Sequence, residues 1–250
     1  MEYGLIGILG LLIGSFLNVC IYRIPKEESI SFPPSHCSNC NHRLGAKDLI
    51  PILSYIFLKG RCRYCNTNIS ARYPLIEFLN MALYLLIYLK FGLTLITIKY
   101  FLLASLLVVI SMIDYDTQYI FTSTTVFGGV IGVVFLIIEV FIYKAEMKDY
   151  ILGASMAFVI IGTIVFLTRG MGEGDIELAS VCGLFLGVKG IILGLFLSIM
   201  IGGIVGAIVL LLKLKKAKEK IAFGPFIAMG TIVSLLYGAE IIKTYLSLFI

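Results

Sequence analysis

The stretch YGLIGILGLLIGSFLNVCIY, Tyr3 to Tyr22, carries no charge over its whole length. About 20 apolar residues in a helix span the roughly 30 Å hydrocarbon core of a bilayer. Glu2 stands where a signal peptide would carry basic residues, and no A-x-A cleavage site follows, so the stretch is expected to be a retained helix. Seven further apolar segments succeed it, at roughly 73–89, 93–113, 120–143, 150–168, 176–188, 190–212 and 222–248. In lipid each must be a helix, because backbone N–H and C=O groups cannot go unpaired there. Of the 250 residues, 60% are hydrophobic and 14% charged, against about 25% charged in soluble domains. The expected class is therefore all-α: a polytopic membrane protein with about eight transmembrane helices. A net charge of +5 is modest and forms no basic stripe interleaved with aromatic residues, which argues against a nucleic-acid partner.

Residues 23–72 are the only long polar stretch. The expected organisation is a first helix at 1–22, a cytoplasmic lobe at 23–72 and a membrane domain at 73–250. If the first helix ends inside the cell, the lobe and the loops near 114–119, 169–175 and 213–221 are cytoplasmic. They hold 14 of the 20 Lys and Arg residues. The positive-inside rule then places both termini outside.

Asp114 closes the third segment and Asp175 opens the sixth, behind Gly172-Glu173-Gly174. Two whole segments separate them, so both belong to one face, the cytoplasmic one by charge. The plain reading of each is an interfacial loop acid. Two on one face, one behind a glycine-rich turn, point instead to a site, since ionisable groups at membrane depth are costly. Lys189 lies 14 residues beyond Asp175, about 21 Å of helix; if it marks the far interface, Asp175 is recessed. Facing carboxylates share a proton, the ionised one activating water and the protonated one polarising a carbonyl, with no metal needed. Asp175 at a helix N-terminus is expected to be the anion and base, and Asp114 at a C-terminal end the acid. Asp116 competes with Asp114, but sits further into the loop.

Cys37-Ser38-Asn39-Cys40 and Cys62-Arg63-Tyr64-Cys65 are two CxxC knuckles with 21 residues between them, the pattern of a four-cysteine zinc site. Disulfides or free thiols are the alternatives, and a cytoplasmic location disfavours disulfides. Four thiolates leave no open position, so Cys37, Cys40, Cys62 and Cys65 are expected to hold structural zinc. His36 and His42 read as surface residues, and Cys20 and Cys182 as packing residues. Gly14 and Asn18 suit close helix contact. Glu77 is expected to pair with Arg72 or Arg23, or to serve a binding site. Lys213 to Lys220 reads as an anchor on anionic lipid.

Together these residues resemble the bacterial type IV prepilin peptidases, membrane aspartyl proteases of the GxGD class. Gly14-Ser15-Phe16-Leu17-Asn18-Val19 with Arg23 and Pro25 is similar to the family's opening motif. Pro34 to Cys40, Ile50 to Ser54, Gly60 to Cys65, and Ile69 to Pro74 with Glu77 resemble its cysteine-bearing loop. Asp114-Tyr115-Asp116-Thr117 and Gly172-Glu173-Gly174-Asp175 resemble the two catalytic motifs, and Phe223-Gly224-Pro225-Phe226 its last helix. The resemblance implies a bacterial inner-membrane enzyme that removes the short basic leader of prepilins or pseudopilins at the cytoplasmic face. It also implies methylation of the new N-terminus from S-adenosylmethionine. Two positions depart from the family pattern. Ile120-Phe121-Thr122 replaces Ile-Pro-Asp, and Glu177 stands where many members have Lys. Other classes predict differently: a proton-coupled transporter needs acids spread through the bilayer depth, and a structural assembly subunit would not depend on Asp114 or Asp175.

Overall fold

The computed structural model describes residues 1–168, 170–212 and 221–249. Its elements are helices: α1 (Glu2–Arg23), the short α2 (Leu53–Phe57), α3 (Arg72–Phe91), α4 (Leu95–Thr117), α5 (Thr122–Tyr143), α6 (Met147–Thr168), α7 (Glu173–Leu211) and α8 (Gly224–Phe249). Among the described residues the only β features are two isolated bridges in the polar loop. All but α2 are long and apolar enough to cross a membrane. The chain is a polytopic all-α membrane protein. It divides into two compact units, residues 1–109 and 110–250, with the division inside α4. Arg169 and the basic run Lys213 to Lys220 lie outside the described residues.

In the first unit α1 packs on α3 at backbone distance. A Cβ on Gly10 would lie 2.7 Å from Met81 Cα, and one on Gly14 would lie 2.7 Å from Glu77 Cα. Small residues one turn apart allow this approach, since lipid gives helices no hydrophobic reason to associate. Side-chain amides then bind the pair. Asn80 Nδ2 donates to the Gly10 carbonyl at 2.8 Å, and Asn18 Nδ2 donates to the Tyr73 carbonyl at 3.2 Å. The Ser105 hydroxyl donates to Asn80 Oδ1. Residues 24–71 are thus a long excursion between two helices of one unit. Gly14→Ala is expected to cost about 1–3 kcal/mol by overpacking, read as a lower unfolding temperature in detergent. Gly4→Ala, with nothing within 4 Å of its added methyl, should cause no loss.

In the second unit α7 is 39 residues long, which as a straight rod would measure about 58 Å. It is not straight. Gly187 has φ 70 and ψ −177, a backbone conformation open to glycine. Before this break, Gly183 touches Gly153 of α6 and Gly162 lies by Ile176, so α6 and the first half of α7 run antiparallel. After it, Ser234 donates to the Gly190 carbonyl, and Gly202 packs on Phe223 and Phe226, so the second half runs antiparallel to α8. The start of α7 touches Ile120, and the start of α8 touches Asp114, only six residues away along the chain. Both ends of α7 therefore come back to the same end of the unit, and the chain doubles back at Gly187. Counting the two halves separately gives about eight membrane segments, as the hydropathy pattern predicts. The carboxylate of Asp149 lies against the turn and accepts the Val188 N–H at 3.4 Å.

Candidate active site and metal site

α4 continues through Thr117 and ends where Gln118 takes φ 55. Asp114 is in its last turn and only 4% exposed, whereas Asp116 points out and is exposed. That difference separates the two candidates. Asp114 Oδ2 accepts the Gly224 N–H at 2.8 Å. A Cβ on Gly224 would lie 2.7 Å from the same oxygen, so only glycine lets the start of α8 approach the carboxylate this closely.

Asp175 is the third residue of α7 and is also 4% exposed. Its Oδ2 accepts the Gly172 N–H at 2.9 Å, satisfying one of the unpaired donors of the helix start. Gly174 is pressed against Ile120, whose Cβ would be 2.7 Å from an added methyl. The ends of α4, α7 and α8 thereby bring the two acids together, close enough for the charge of one to bear on the other. One expectation is corrected. The assignment of acid and base rested on Asp114 occupying a negative helix end. The structure also sets Asp114 on the N-terminus of α8, so both carboxylates face positive helix ends and the asymmetry disappears.

Ser111, one turn before Asp114, has a buried hydroxyl with no partner among the described residues. Glu177 is exposed beside the site, where the Thr125 hydroxyl donates to it, tying α5 to α7. Phe121 caps α5. Gly224→Ala is expected to push the Asp114 carboxylate aside. Any activity resting on that carboxylate should fall by about tenfold or more, since misplacement by an ångström is costly. Thermal unfolding of the same variant checks that the fold is retained.

Sequence reasoning did not register Glu139 (4% exposed) or Lys99 (2% exposed) as buried. Glu139 is held by the Tyr150 hydroxyl near the Gly187 turn, a role in packing α5 to α6. No periodicity could have paired residues on different helices.

In the first unit the two CxxC knuckles fold alike. The Cys37 N–H donates to the His42 carbonyl and the Cys62 N–H to the Thr67 carbonyl. Each turn closes through an asparagine with positive φ, Asn41 and Asn66. All four sulfurs of Cys37, Cys40, Cys62 and Cys65 lie within 4.8 Å of one another, with 3.8 Å between Cys37 and Cys65. A tetrahedral tetrathiolate with metal–sulfur bonds of about 2.3 Å needs sulfurs about 3.8 Å apart, so the cluster fits a metal ion. The backbone N–H of Thr67, then the Asn39 amide, lower the pKa of the Cys65 thiol. At Cys40 the His42 N–H is outweighed by the crowding of sulfurs, which raises it, so the four thiols act on one another as a single cluster. His36 and His42 are exposed, and His42 stacks on Tyr64. Beside the knuckles Arg63 donates to Asp48 at 2.6 Å, and this contact holds the Asp48 carboxyl below its usual range. Glu77 accepts the Ile52 N–H at 2.8 Å. Arg23 instead donates to the Ser29 and Pro33 carbonyls.

Residues 8–91 match the family model described as Bacterial Peptidase A24 N-terminal domain, and residues 101–207 match the Type IV leader peptidase family. Three similar proteins are each named prepilin leader peptidase/N-methyltransferase. The one from Aeromonas hydrophila is 30% identical, covering 100% of this chain and 96% of the relative. That from Bacillus subtilis (strain 168) is 34% identical over 96% of both chains. That from Neisseria gonorrhoeae is 34% identical over 90% of this chain and 87% of its own. No solved structure matches the chain.

Proposed function

The chain belongs to the type IV leader peptidase family, and from that premise we propose that Asp114 and Asp175 are the catalytic pair of a membrane aspartyl endopeptidase. Its substrates are type IV prepilins or pseudopilins, from which it removes the leader. The observation that carries the residue assignment is the burial of two carboxyl groups, 61 residues apart in the chain, at the same end of the second unit, within range of one another's charge.

Two such groups a short distance apart cannot both ionise cheaply, so they hold one proton between them. The ionised carboxylate takes a proton from a water molecule. The water oxygen attacks the scissile carbonyl carbon, and the protonated partner donates to the carbonyl oxygen. Collapse of the tetrahedral adduct then expels the amine, which takes up a proton from the carboxyl that received the water's proton, while a hydroxyl of the adduct returns its proton to the partner carboxylate and leaves the new carboxyl group. Gly172 and Gly224 supply fixed N–H donors that orient the two carboxylates throughout. The buried, unpaired Ser111 hydroxyl offers a donor to a group entering beside Asp114.

We place the pair at the cytoplasmic face of the bacterial inner membrane with both termini outside, on the distribution of Lys and Arg. The first half of α7 from Asp175 to Gly187 spans about 18 Å, which supports a recessed site. The metal at Cys37, Cys40, Cys62 and Cys65 is proposed to be zinc, with a structural role. S-adenosylmethionine, when bound, would supply a methyl group to the amine that cleavage exposes; the two aspartates have no part in that transfer.

The test is to incubate the purified chain, in proteoliposomes, with a type IV prepilin and to weigh the products intact. Loss of the leader mass supports the peptidase, and a further gain of one methyl supports the transferase. A precursor left whole by wild-type protein would overturn the reading.

A further inference from the structure

Leu49 to Leu58, LIPILSYIFL, carries no charge. It interrupts a loop that is otherwise polar, and the flanking Lys47, Lys59 and Arg61 are exposed. An apolar run of about 10–14 residues is too short to cross a bilayer, but it has the length of a re-entrant or interfacial segment, or of a helix in a small buried core.

The structure separates these by which side of α2 is covered. Ser54, Tyr55 and Leu58 turn inward and line a cavity shared with α1 and the start of α3. Leu53, Ile56 and Phe57, spaced i, i+3 and i+4, form the opposite face. All three are exposed, Phe57 by 80%, and so are Leu49 and Ile50 beside them. A helix folded onto a soluble lobe turns its apolar stripe inward. α2 does the reverse, and its outer face forms a continuous apolar patch.

The depth of α2 follows from its attachment. The Glu77 carboxylate accepts the Ile52 N–H at 2.8 Å and is also held by the Ser15 hydroxyl. Ser15 and Ile52 therefore meet at one carboxyl group. Ser15 lies seven residues before Tyr22, about 10 Å inside the uncharged run of α1. α2 thus begins beside the membrane-spanning part of α1 and not beyond its end. Irregular backbone at that depth is tolerated only where the protein satisfies its polar groups. Glu77 does this for Ile52, which explains an acid only 7% exposed in α3 that peptide hydrolysis does not use. Ile52 is a β-branched residue at φ 60, a conformation that persists only where its surroundings impose it.

We infer that residues 49–58 are a re-entrant segment of the cysteine-bearing loop. Leu53, Ile56 and Phe57 enter the acyl chains of the cytoplasmic leaflet, and Lys47, Lys59 and Arg61 stay at the phospholipid headgroups. The partner of this face is lipid. The loop is then attached to the membrane at its middle as well as at its two ends, between the knuckles Cys37–Cys40 and Cys62–Cys65. Only the sidedness of the leaflet rests on the topology proposed above.

The chain contains no tryptophan, so Phe57→Trp introduces a single indole fluorophore at the centre of the patch. The full-length variant is reconstituted in vesicles of phosphatidylcholine and phosphatidylglycerol, with and without bromine on the acyl chains. Brominated lipid is expected to quench the emission by about half or more, most strongly with bromine in the upper part of the chain. Aqueous iodide should quench it about fivefold less than it quenches Arg43→Trp, whose site on the first knuckle is exposed. In the Phe57→Trp background, Glu77→Leu removes the acceptor of the Ile52 N–H and should lower the lipid quenching by about half or more, whereas Glu77→Gln keeps an acceptor and should not. Zinc content and thermal unfolding show that each variant is folded. Iodide quenching equal to that of Arg43→Trp, with no effect of brominated lipid, would place α2 in water and overturn the inference. Protection from both quenchers would mean that protein covers the face, another part of the chain or a second copy, and would overturn it too. Equal lipid quenching in Glu77→Leu and Glu77→Gln would remove Glu77 from the account. No prepilin enters these measurements, so the insertion of α2 stands or falls apart from the peptidase.

Discussion

Asp114→Asn and Asp175→Asn are each expected to slow leader removal by at least about a thousandfold, because each takes away a proton-transfer group used in the same step. Asparagine matches aspartate in shape. Its Oδ1 can still accept the Gly224 or Gly172 N–H that the carboxylate accepts now, so the fold should persist and thermal unfolding should barely move. What it cannot do is carry the shared proton. On the proposed mechanism the two groups act as one unit, so the double variant should be no slower than the worse single one. For the same reason the wild-type rate should rise and fall across pH with two apparent values that belong to the pair, and each single variant should lose one limb. A single variant that kept more than a tenth of the wild-type rate would show that its carboxyl is not chemically required. Asp116→Asn is the control. Its exposed side chain lies outside the pair, and the rate should change by no more than a few-fold.

Stripping the metal, or replacing Cys65 with Ser, is expected to unfold the loop between α1 and α3. Structural zinc supplies about 10–16 kcal/mol in small zinc-folded peptides. The loop has little else to rely on: Leu49, Ile50, Leu53, Ile56 and Phe57 are all exposed, and its helix α2 is five residues long. Wild-type protein should contain one zinc per chain. After extraction with a strong chelator, limited proteolysis should cut within 24–71 while α5 to α8 stay whole. Restored zinc should restore resistance to wild type and not to Cys65→Ser. A Cys65→Ser protein with full zinc content and an uncut loop would remove the metal from the account.

Much of this was legible along the chain because membrane segments and metal knuckles are local patterns. Tyr3 to Tyr22 and its successors are readable by length alone, and two CxxC pairs at that spacing dictate a common ligand. Gly14 also announces close packing, whereas the equally close approach at Gly10 shows only in the structure. What hydropathy cannot give is the neighbour of each helix. Gly224 and Asp114 are 110 residues apart, and nothing in either segment says that the start of α8 would supply an N–H to the end of α4. That contact is what removes the electrostatic distinction between the two aspartates. The turn in α7 is a similar case. A pause near Lys189 is visible in the sequence, but the break is at Gly187, set by Asp149 of α6 against a backbone that only glycine tolerates. Glu77 showed as an acid in an apolar helix. Its partner, the Ile52 N–H, could not be guessed, because it depends on a strained residue in an irregular loop.

The central claim is that the two aspartates direct water onto the leader's scissile bond. The most direct measurement is cleavage of a prepilin by the reconstituted chain in water enriched in oxygen-18, with the released leader weighed intact. Wild-type protein should place one heavy oxygen in the new leader carboxylate, and the Asp114→Asn, Asp175→Asn double variant should release leader at least about a thousandfold more slowly. Leader released by the double variant at the wild-type rate, carrying the same label, would contradict the account.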